Sequence, residues 1–280
     1  HDIEEWEDVV KIPDLHANCD QEELWGPFLE RAAQVDRNDT LLTMFAPTGI
    51  FERMHFLMGF EDTLTNLYEH PQEMHELIDY ILEYRLKYAK LLIDNFKPDM
   101  IFSHDDWGSK TNLFMAPDMW REFFKEPYRK IYQYIRSRGV IAIHHADSYL
   151  APIVEDMAEI GIQVWQGVLP ENDIPALQKR LNGSMVLMGG IGAAIVRELT
   201  TQGWQVAFCY RSSEDIARQL ATETGAFAIR CDVTDSGQVS AMVAQVQQQF
   251  RHIDLLVNNA GVAWQGLLTD MTDDDWRAVL

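Results

Sequence analysis

The chain has 280 residues, a formal net charge of −21 and a hydrophobic fraction of 47%. This length suits two domains or one (β/α) barrel, and the apolar fraction excludes a disordered chain. The three cysteines, Cys19, Cys209 and Cys231, show no CxxC spacing, so we expect a reducing cytoplasm rather than a disulfide scaffold or zinc ribbon. The longest apolar run, 185–196, is shorter than the roughly 20 residues that span a bilayer. The acidic balance argues against nucleic acid and anionic membranes as partners.

The composition changes near residue 180. All ten prolines and all eight lysines lie at or before Lys179. We interpret the change as a join of two segments of different origin, 1–189 and 190–280; a single domain with a lysine-poor face is the alternative. No exposed linker separates them, although folded domains are normally joined by one. Since the chain begins at His1 without a Met or a signal segment, we expect a trimmed or internal piece.

Apolar runs typical of strands alternate with helical patterns in residues 1–189. The predicted strands are Leu41–Ala46, Met100–Ser103, Val140–His144, Gln163–Trp165 and Met185–Met188. The predicted helices are Pro71–Phe96, Pro117–Arg138 and Leu150–Ile160. This alternation indicates a parallel sheet covered by helices. Polar residues at the strand ends favour a barrel, because catalytic groups project from the C-terminal ends of barrel strands.

Polar residues follow three successive predicted strands. These segments read Ser103-His-Asp-Asp-Trp-Gly108, His144-His-Ala-Asp-Ser148 and Trp165-Gln-Gly167. Imidazole and carboxylate groups suit acid/base catalysis or a divalent metal, and the catalytic candidates are Asp105, Asp106, His144 and Asp147. An N-cap role of Asp147 or Ser148 for the helix from Leu150 is the alternative. Adjacent strand residues point to opposite sides, so at most one of His144 and His145 faces the barrel interior.

With these residues the segment resembles the uroporphyrinogen decarboxylase superfamily, and most of all its corrinoid-dependent methyltransferases. The resemblance covers about residues 1–191. It is carried by Phe102–Lys110, Met115–Phe124, Pro127–Lys130, Gly139–His145 and Val186–Ile191. It implies a (β/α)8 barrel and, as a candidate partner, a corrinoid protein.

The zinc site of those methyltransferases is not matched. The resemblance implies a His-x-Cys pattern within Ile143–Asp147 and a later Cys as zinc ligands. Here the pattern is His144-His145-Ala146, and no Cys follows before Cys209. A zinc site of that kind is therefore not expected, and no metal ligand is assigned. The arginines implied for porphyrinogen decarboxylation belong to a segment that would precede His1, so a barrel without its N-terminal strand or strands is expected.

Residues 190–280 follow a βαβ pattern. Helices are predicted at Ala193–Gln202, Glu214–Thr222 and Ser236–Phe250, and strands at Gln205–Tyr210, Ala226–Cys231 and Ile253–Val257. Gly190-Ile-Gly192 precedes the first helix, where free N–H groups and the helix dipole can hold a pyrophosphate. Arg211 ends the second strand, where NAD-binding proteins carry an acid, and an arginine there favours the 2′-phosphate of NADP.

With Cys231-Asp-Val233 and Val257-Asn-Asn-Ala-Gly261, this segment resembles the short-chain dehydrogenase/reductase family, most of all the 3-oxoacyl-carrier-protein reductase group. The resemblance implies a Rossmann-type sheet. The cofactor-binding residues are Gly190, Gly192, Arg211, Ser212, Asp232, Val233, Asn258, Asn259, Ala260 and Gly261. A simple turn at residues 258–261 is the alternative.

Two departures from the reductase pattern determine the expected function. The family's loop, Thr-Gly-x-x-x-Gly-x-Gly, would place its first glycine at Val186, so the phosphate loop lacks the residue that permits its turn. The serine and the Tyr-x-x-x-Lys of hydride transfer would follow Leu280. We expect an α/β chain with a partial (β/α)8 barrel followed by a partial Rossmann-type parallel sheet, weak or vestigial NADP binding, and no turnover as given.

Two alternatives stay open. One is corrinoid-linked methyl transfer around a metal held by His144, Asp147 and Asp105 or Asp106. The other is a non-catalytic hybrid barrel of eight strands, with five before the boundary and three after it. The expected partner is a small-molecule substrate or a nucleotide. Unpaired sheet edges at Met185 and Ile253–Val257 leave homo-oligomerisation open.

Overall fold

A computed structural model describes residues 3–15, 22–189 and 191–260. The chain divides into two compact units, His1–Gly189 (unit 1) and Gly190–Leu280 (unit 2). Unit 1 contains a five-stranded sheet and unit 2 a two-stranded sheet, and all strand pairs in both are parallel. The chain is therefore an α/β protein with parallel sheets. None of the helices in the described ranges is long and apolar enough to cross a membrane.

Unit 1 alternates strands and helices along the chain, and its strands lie in sequence order β1-β2-β3-β4-β5. The strands are β1 (Thr43–Ala46), β2 (Met100–His104), β3 (Ile141–His145), β4 (Val164–Val168) and β5 (Val186–Gly189). The helices are α1 (Trp6–Val9), α2 (Glu22–Ala33), α3 (Ile50–Met58), α4 (Phe60–Glu69), α5 (Pro71–Phe96), α6 (Pro117–Trp120), α7 (Glu126–Ser137), α8 (Val154–Glu159) and α9 (Ile174–Leu181). Each predicted strand of this segment is present, with ends that differ by at most three residues.

The two faces of the five-stranded sheet differ in burial. One face, the covered face, carries Ile101, Ala142, His144 and Trp165, all of which are buried. The other, the open face, carries one row of register partners: Phe45, Phe102, Ile143, Val164 and Val186. At the ends of this row, Phe45 is 56% and Val186 60% exposed. His104 and His145 follow on the open face one step towards the carboxyl ends of the strands.

The predicted helix Pro71–Phe96 is confirmed as α5, whereas the predicted helix Pro117–Arg138 is divided. A π-helical turn, Arg121–Lys125, separates α6 from α7. Pro127 has no N–H group to donate to the carbonyl of Phe123, and its ring crowds that carbonyl, so the α-helical pattern is disrupted one turn earlier. The predicted helix Leu150–Ile160 begins with a 3-10 turn at Ala151–Ile153 and continues as α8.

Unit 2 contains α10 (Ile191–Thr201), β6 (Ala207–Tyr210), α11 (Glu214–Thr224), β7 (Phe227–Arg230) and α12 (Ser236–Phe250). Its small apolar core joins Val196 of α10, Leu220 of α11 and Ala226. The predicted helix at 236–250 is confirmed.

The prediction of a further strand at Ile253–Val257 is wrong. These residues are exposed and irregular, because neither β6 nor β7 offers them a hydrogen-bonded neighbour. Within the described residues the strands form one sheet of five and another of two, so the prediction of a single hybrid eight-stranded barrel is also wrong.

Candidate functional site

Three polar side chains of unit 1 converge beyond the carboxyl end of β2. We name Glu52, His104 and Asp106 the strand-end cluster. The Nδ1 atom of His104 lies 2.9 Å from Oε2 of Glu52, and its Nε2 lies 4.0 Å from Oδ2 of Asp106. One nitrogen or oxygen atom from each residue lies within 4.8 Å of those of the other two. All three side chains are largely but not completely buried.

Local sequence places Glu52 beside β2. The turn after β1 ends at Gly49, and a Cβ atom there would clash with the side chain of Asp105. The absence of a side chain lets the first turn of α3 approach the end of β2 closely. Asp105 then accepts hydrogen bonds from the backbone N–H groups of Phe51 (3.0 Å) and Glu52 (2.8 Å). The carboxylate of Asp105, the residue after β2, thereby caps α3 and fixes the position of Glu52.

Asp105 has no open side towards a substrate. It is fully buried, and besides the two backbone donors its carboxylate accepts hydrogen bonds from Trp107 Nε1 (3.0 Å) and the Tyr128 hydroxyl. Burial, together with the charge of Glu52, raises the pKa of Asp105 to about 7, and the donors act in the opposite direction. The geometry gives Asp105 a structural task, and its catalytic role stays a prediction.

A second set of side chains orients the strand-end cluster. Oδ1 of Asp106 accepts from the backbone N–H of Asp147 and from Oγ of Ser148, both at 3.0 Å. Its other oxygen is left directed towards His104. The ring of His145 stacks on His104 with 4.8 Å between ring centres, and its Nε2 lies 3.7 Å from Oδ2 of Asp147. The structure therefore brings Asp106 and Asp147 of the predicted candidates together.

The charges of the cluster favour a proton on His104. Burial lowers the pKa of His104, but the hydrogen bond and charge of Glu52 and the charge of Asp106 raise it further, so it lies above its ordinary value. Burial raises the pKa of Asp106, and the charge of His104 offsets part of that rise. A histidine with an acidic side chain near each of its ring nitrogens suits proton transfer or replacement of the proton by a cation.

His144 lies apart from the cluster, on the covered face. Its Nδ1 is 2.7 Å from the hydroxyl of Tyr132, and its ring stacks on Trp107 with 4.2 Å between ring centres. Its Nε2 is buried and has no hydrogen-bond partner among the described residues. Burial holds the pKa of His144 well below its ordinary value, so the ring is neutral. As the alternation of strand residues predicts, the neighbouring His145 takes the open face.

The capping alternative for Asp147 and Ser148 is wrong. The backbone N–H groups of Leu150 and Ala151 donate to Oδ1 of Asn172 at 2.8 and 3.0 Å. Asn172 follows β4, so this helix start is capped from a distant part of the chain. Ser148 instead donates to Asp106, which connects the end of β3 to the strand-end cluster.

Sequence reasoning missed Glu52, His104 and His145 as members of this site. His104 and His145 stand in the quoted strand-end segments, and period-2 alternation from the buried Ser103 and His144 places both on the opposite face. Glu52 had a weaker signal. It follows β1 within a helix, and only the rule that parallel strands end at one edge points to it.

Ala146 stands at the position where the methyltransferases carry the zinc-binding cysteine, and it packs in the core of unit 1. Ala146 is buried, its N–H donates to the carbonyl of Gln166, and its carbonyl accepts from Trp165 Nε1 at 3.0 Å. His144, the other residue of the His-x-Cys pattern, lies on the covered face. The residues here do not fit a thiolate zinc site.

In unit 2 the predicted nucleotide-binding residues follow the carboxyl ends of β6 and β7. Tyr210 and Arg230 are the last register partners of the two strands. Arg211 and Ser212 come directly after β6 and are exposed, and Asp232 follows β7. Hydrogen bonds from Thr234 and the charge of Arg211 lower the pKa of Asp232.

Gly192 and Asn259 also lie close together. A Cβ atom on Gly192 would lie 2.7 Å from Nδ2 of Asn259, so the missing side chain leaves room for that amide. Asn258, Asn259 and Ala260 are exposed, as is Val233. Gly190 and Gly261, the remaining predicted cofactor residues, lie outside the described residues. Among the described residues, Arg211 and Asp232 thus follow the carboxyl ends of β6 and β7, and Asn259 lies beside Gly192.

Comparison with known protein families accounts for both units. Residues 8–202 match the family model of uroporphyrinogen decarboxylase (URO-D), and residues 187–280 match that of enoyl-(acyl carrier protein) reductase. The chain belongs to the uroporphyrinogen decarboxylase family, and its second segment is a short-chain reductase segment. The resemblances found in the sequence are confirmed. The two matches share residues 187–202.

Individual relatives match the reductase segment. The 3-oxoacyl-[acyl-carrier-protein] reductase FabG of Staphylococcus aureus (strain N315) is 38% identical over 96 residues, which is 32% of this chain and 39% of that protein. The acetoacetyl-CoA reductase of Shinella zoogloeoides is 37% identical over 91 residues, which is 32% of this chain and 38% of that protein. The chain thus spans less than half the length of these relatives. Among solved structures, a methyltransferase from Methanosarcina mazei is 17% identical, with a TM-score of 0.48, over 85% of this chain and 70% of that one.

Proposed function

We propose that residues 190–261 bind NADP(H) weakly at the carboxyl edge of β6 and β7. The observation that carries the proposal is Arg211. Arg211 is exposed at the end of β6; its charge lowers the pKa of the nearby Asp232, but in the described ranges no acid lies within ion-pair distance of it. A 2′-phosphate needs such an unpaired cation, and guanidinium binds phosphate through two parallel N–H groups. In this proposal Asp232 and Val233 face the adenine, and Asn258 to Ala260 line the cleft.

The sequence of the phosphate loop explains why binding is expected to be weak. Val186 occupies the position of the family's first glycine, where its side chain opposes the tight turn of the phosphate loop. We therefore take residues 190–280 as an incomplete Rossmann half and residues 1–189 as an incomplete barrel. The exposed ends of the apolar row on the open face support the second assignment, because in a closed barrel that face is filled by side chains from all eight strands. We propose that the chain formed by these two segments does not turn over a substrate.

A fluorescence titration tests nucleotide binding. NADPH is added to the full chain, and a saturable change is expected. The variant Arg211→Ala removes the charged hydrogen bonds to the 2′-phosphate and should weaken NADPH about 10-fold while leaving NADH unchanged. The control is Arg218→Ala, an exposed arginine on α11 that pairs with Glu214. No saturable change, or equal effects of the two variants, would refute the proposal.

The absence of turnover has its own test. Acetoacetyl-CoA is the substrate in the name of one relative. NADPH absorbance is followed after its addition to the full chain, and no decrease is expected. A decrease that depends on the protein would contradict this part of the proposal, whether or not Arg211 contributes to binding.

A second candidate function, corrinoid-linked methyl transfer, belongs to unit 1. The observation that favours it is the position of the strand-end cluster, at the edge where barrel enzymes carry their catalytic groups. Titration with methylcobalamin, followed by visible absorbance, should give a saturable shift that Asp106→Asn weakens. Asp118→Asn, at an exposed acid on α6, is the matched control. Absence of a saturable shift would exclude this candidate.

A further inference from the structure

The strand-end cluster has the composition of a metal site rather than of an ordinary ion pair. Its three donors come from three places in the fold: Glu52 from α3, His104 from β2 and Asp106 from the following loop. A simple ion pair between Glu52 and His104 needs no third acid, yet a carboxylate oxygen of Asp106 lies within 4.8 Å of the ligand atoms of both residues. The three groups supply one nitrogen and two anionic oxygens around one point.

The distances allow a single ion to join these groups. Ligand atoms about 2.0–2.2 Å from one metal ion lie about 3.0–3.5 Å from each other in tetrahedral or octahedral geometry. With one ligand atom taken from each residue, and thus a single ring nitrogen from His104, the three atoms lie within 4.8 Å of one another. Side-chain rotations that shorten the longest separation by up to about 1.5 Å bring the donors into this range.

The surroundings of the cluster resemble the outer shell of a metal site. Ligating carboxylates in proteins are held by further hydrogen bonds, which fix the orientation of the coordinating oxygen. Ser148 Oγ and the N–H of Asp147 hold one oxygen of Asp106 and leave the other free. The backbone of Glu52 is held by Asp105. The cluster is therefore ordered before any cation arrives.

We propose that Glu52, His104 and Asp106 bind one first-row divalent cation, with Zn²⁺ and Mn²⁺ as the probes. Imidazole selects Zn²⁺ and its neighbours over Mg²⁺, and the two carboxylates also accept Mn²⁺. The site lies on the open face. It is distinct from a thiolate zinc site, which would use His144 and the position of Ala146. It depends neither on nucleotide binding by unit 2 nor on methyl transfer.

Equilibrium dialysis of the chelator-treated full chain against Zn²⁺, and separately Mn²⁺, measures the stoichiometry. One tight equivalent is expected, with an increase in the melting temperature of unit 1. His104→Ala and Asp106→Asn should each lose that equivalent and the increase. Ser148→Ala keeps all three ligands and should weaken binding about 10-fold to 100-fold, as expected for a group that orients a ligand.

Surface histidines also take up Zn²⁺, so a matched control is needed. The variant His75→Ala with Glu122→Gln removes an exposed histidine and carboxylate pair, 3.9 Å apart, on another part of unit 1. This variant should keep the tight equivalent. Far-ultraviolet circular dichroism checks that each variant is folded, and Ser148→Ala carries the test if His104→Ala is not. No tight equivalent in the wild type, or an equivalent that survives Asp106→Asn and Ser148→Ala unchanged, would overturn the proposal.

Discussion

Replacing Asp105 by asparagine tests whether this residue is a structural cap. The carboxylate accepts four hydrogen bonds: three at Oδ2, from Phe51, Trp107 and Tyr128, and one at Oδ1, from Glu52. Asparagine has one carbonyl oxygen and one NH₂ group. Even in its better orientation, the NH₂ group faces the backbone N–H of Glu52, so that N–H loses its acceptor and the new NH₂ group adds a second unpaired buried donor.

Each buried donor left unpaired costs about 1–3 kcal/mol, and removal of the buried charge, which the raised pKa of Asp105 marks as unfavourable, offsets part of this cost. Asp105→Asn should therefore lower the free energy of unfolding by about 2 kcal/mol. Urea unfolding at pH 8, above the pKa of about 7 of Asp105, measures this loss with the carboxylate ionised in the wild type. Asp106→Asn is the control. Its oxygen can keep both donors of Oδ1, so a loss under about 1 kcal/mol is expected. A difference between the two variants below about 1 kcal/mol would refute the capping role.

Two further predictions concern unit 1. Burial raises the pKa of Asp156, but hydrogen bonds from Arg121 and Lys125 lower it below its ordinary value. The stability that this ionised acid supplies is thus present at pH 7 and lost as the pH falls through its folded-state pKa. Asp156→Asn should cost about 1 kcal/mol at pH 7 and nothing at pH 2; equal losses in urea at both values would contradict this. Gly167 has a φ of +90°, and a Cβ there would lie 3.0 Å from the carbonyl oxygen of Ala146, whereas Gly183, with a φ of +82°, has open space. Gly167→Ala should therefore destabilise unit 1 by at least about 1 kcal/mol more than Gly183→Ala in thermal unfolding, and equal losses would show that crowding is unimportant.

Elements with strong local signals were predictable. The helices at 71–96 and 236–250 have long amphipathic patterns and clear ends, and both were confirmed. The five strands of unit 1 and the opposite directions of His144 and His145 follow from apolar runs and period-2 alternation. Local patterns decide these features because each depends on residues close together in the chain.

Features that depend on distant residues were not predictable to the same degree. Asp105 caps α3, which begins about fifty residues earlier in the chain. Asn172 caps the helical turn Ala151–Ile153, which begins about twenty residues earlier. Nothing near Asp105 in the sequence indicates that its acceptor sites are occupied by backbone groups of α3. For the same reason the segment 253–257, apolar enough for a strand, was predicted as one although no described strand pairs with it.

The sequence by itself determined the two families, the boundary region they share and the edge of the sheet where polar groups gather. The tertiary structure decided which of those groups form the site. In the folded chain Asp105 and His144 are buried. Glu52, which lies in the helix after β1, comes next to His104 and Asp106. The physical reason is that a side chain's chemistry depends on its hydrogen-bond partners and burial, and these come from residues that only folding places beside it.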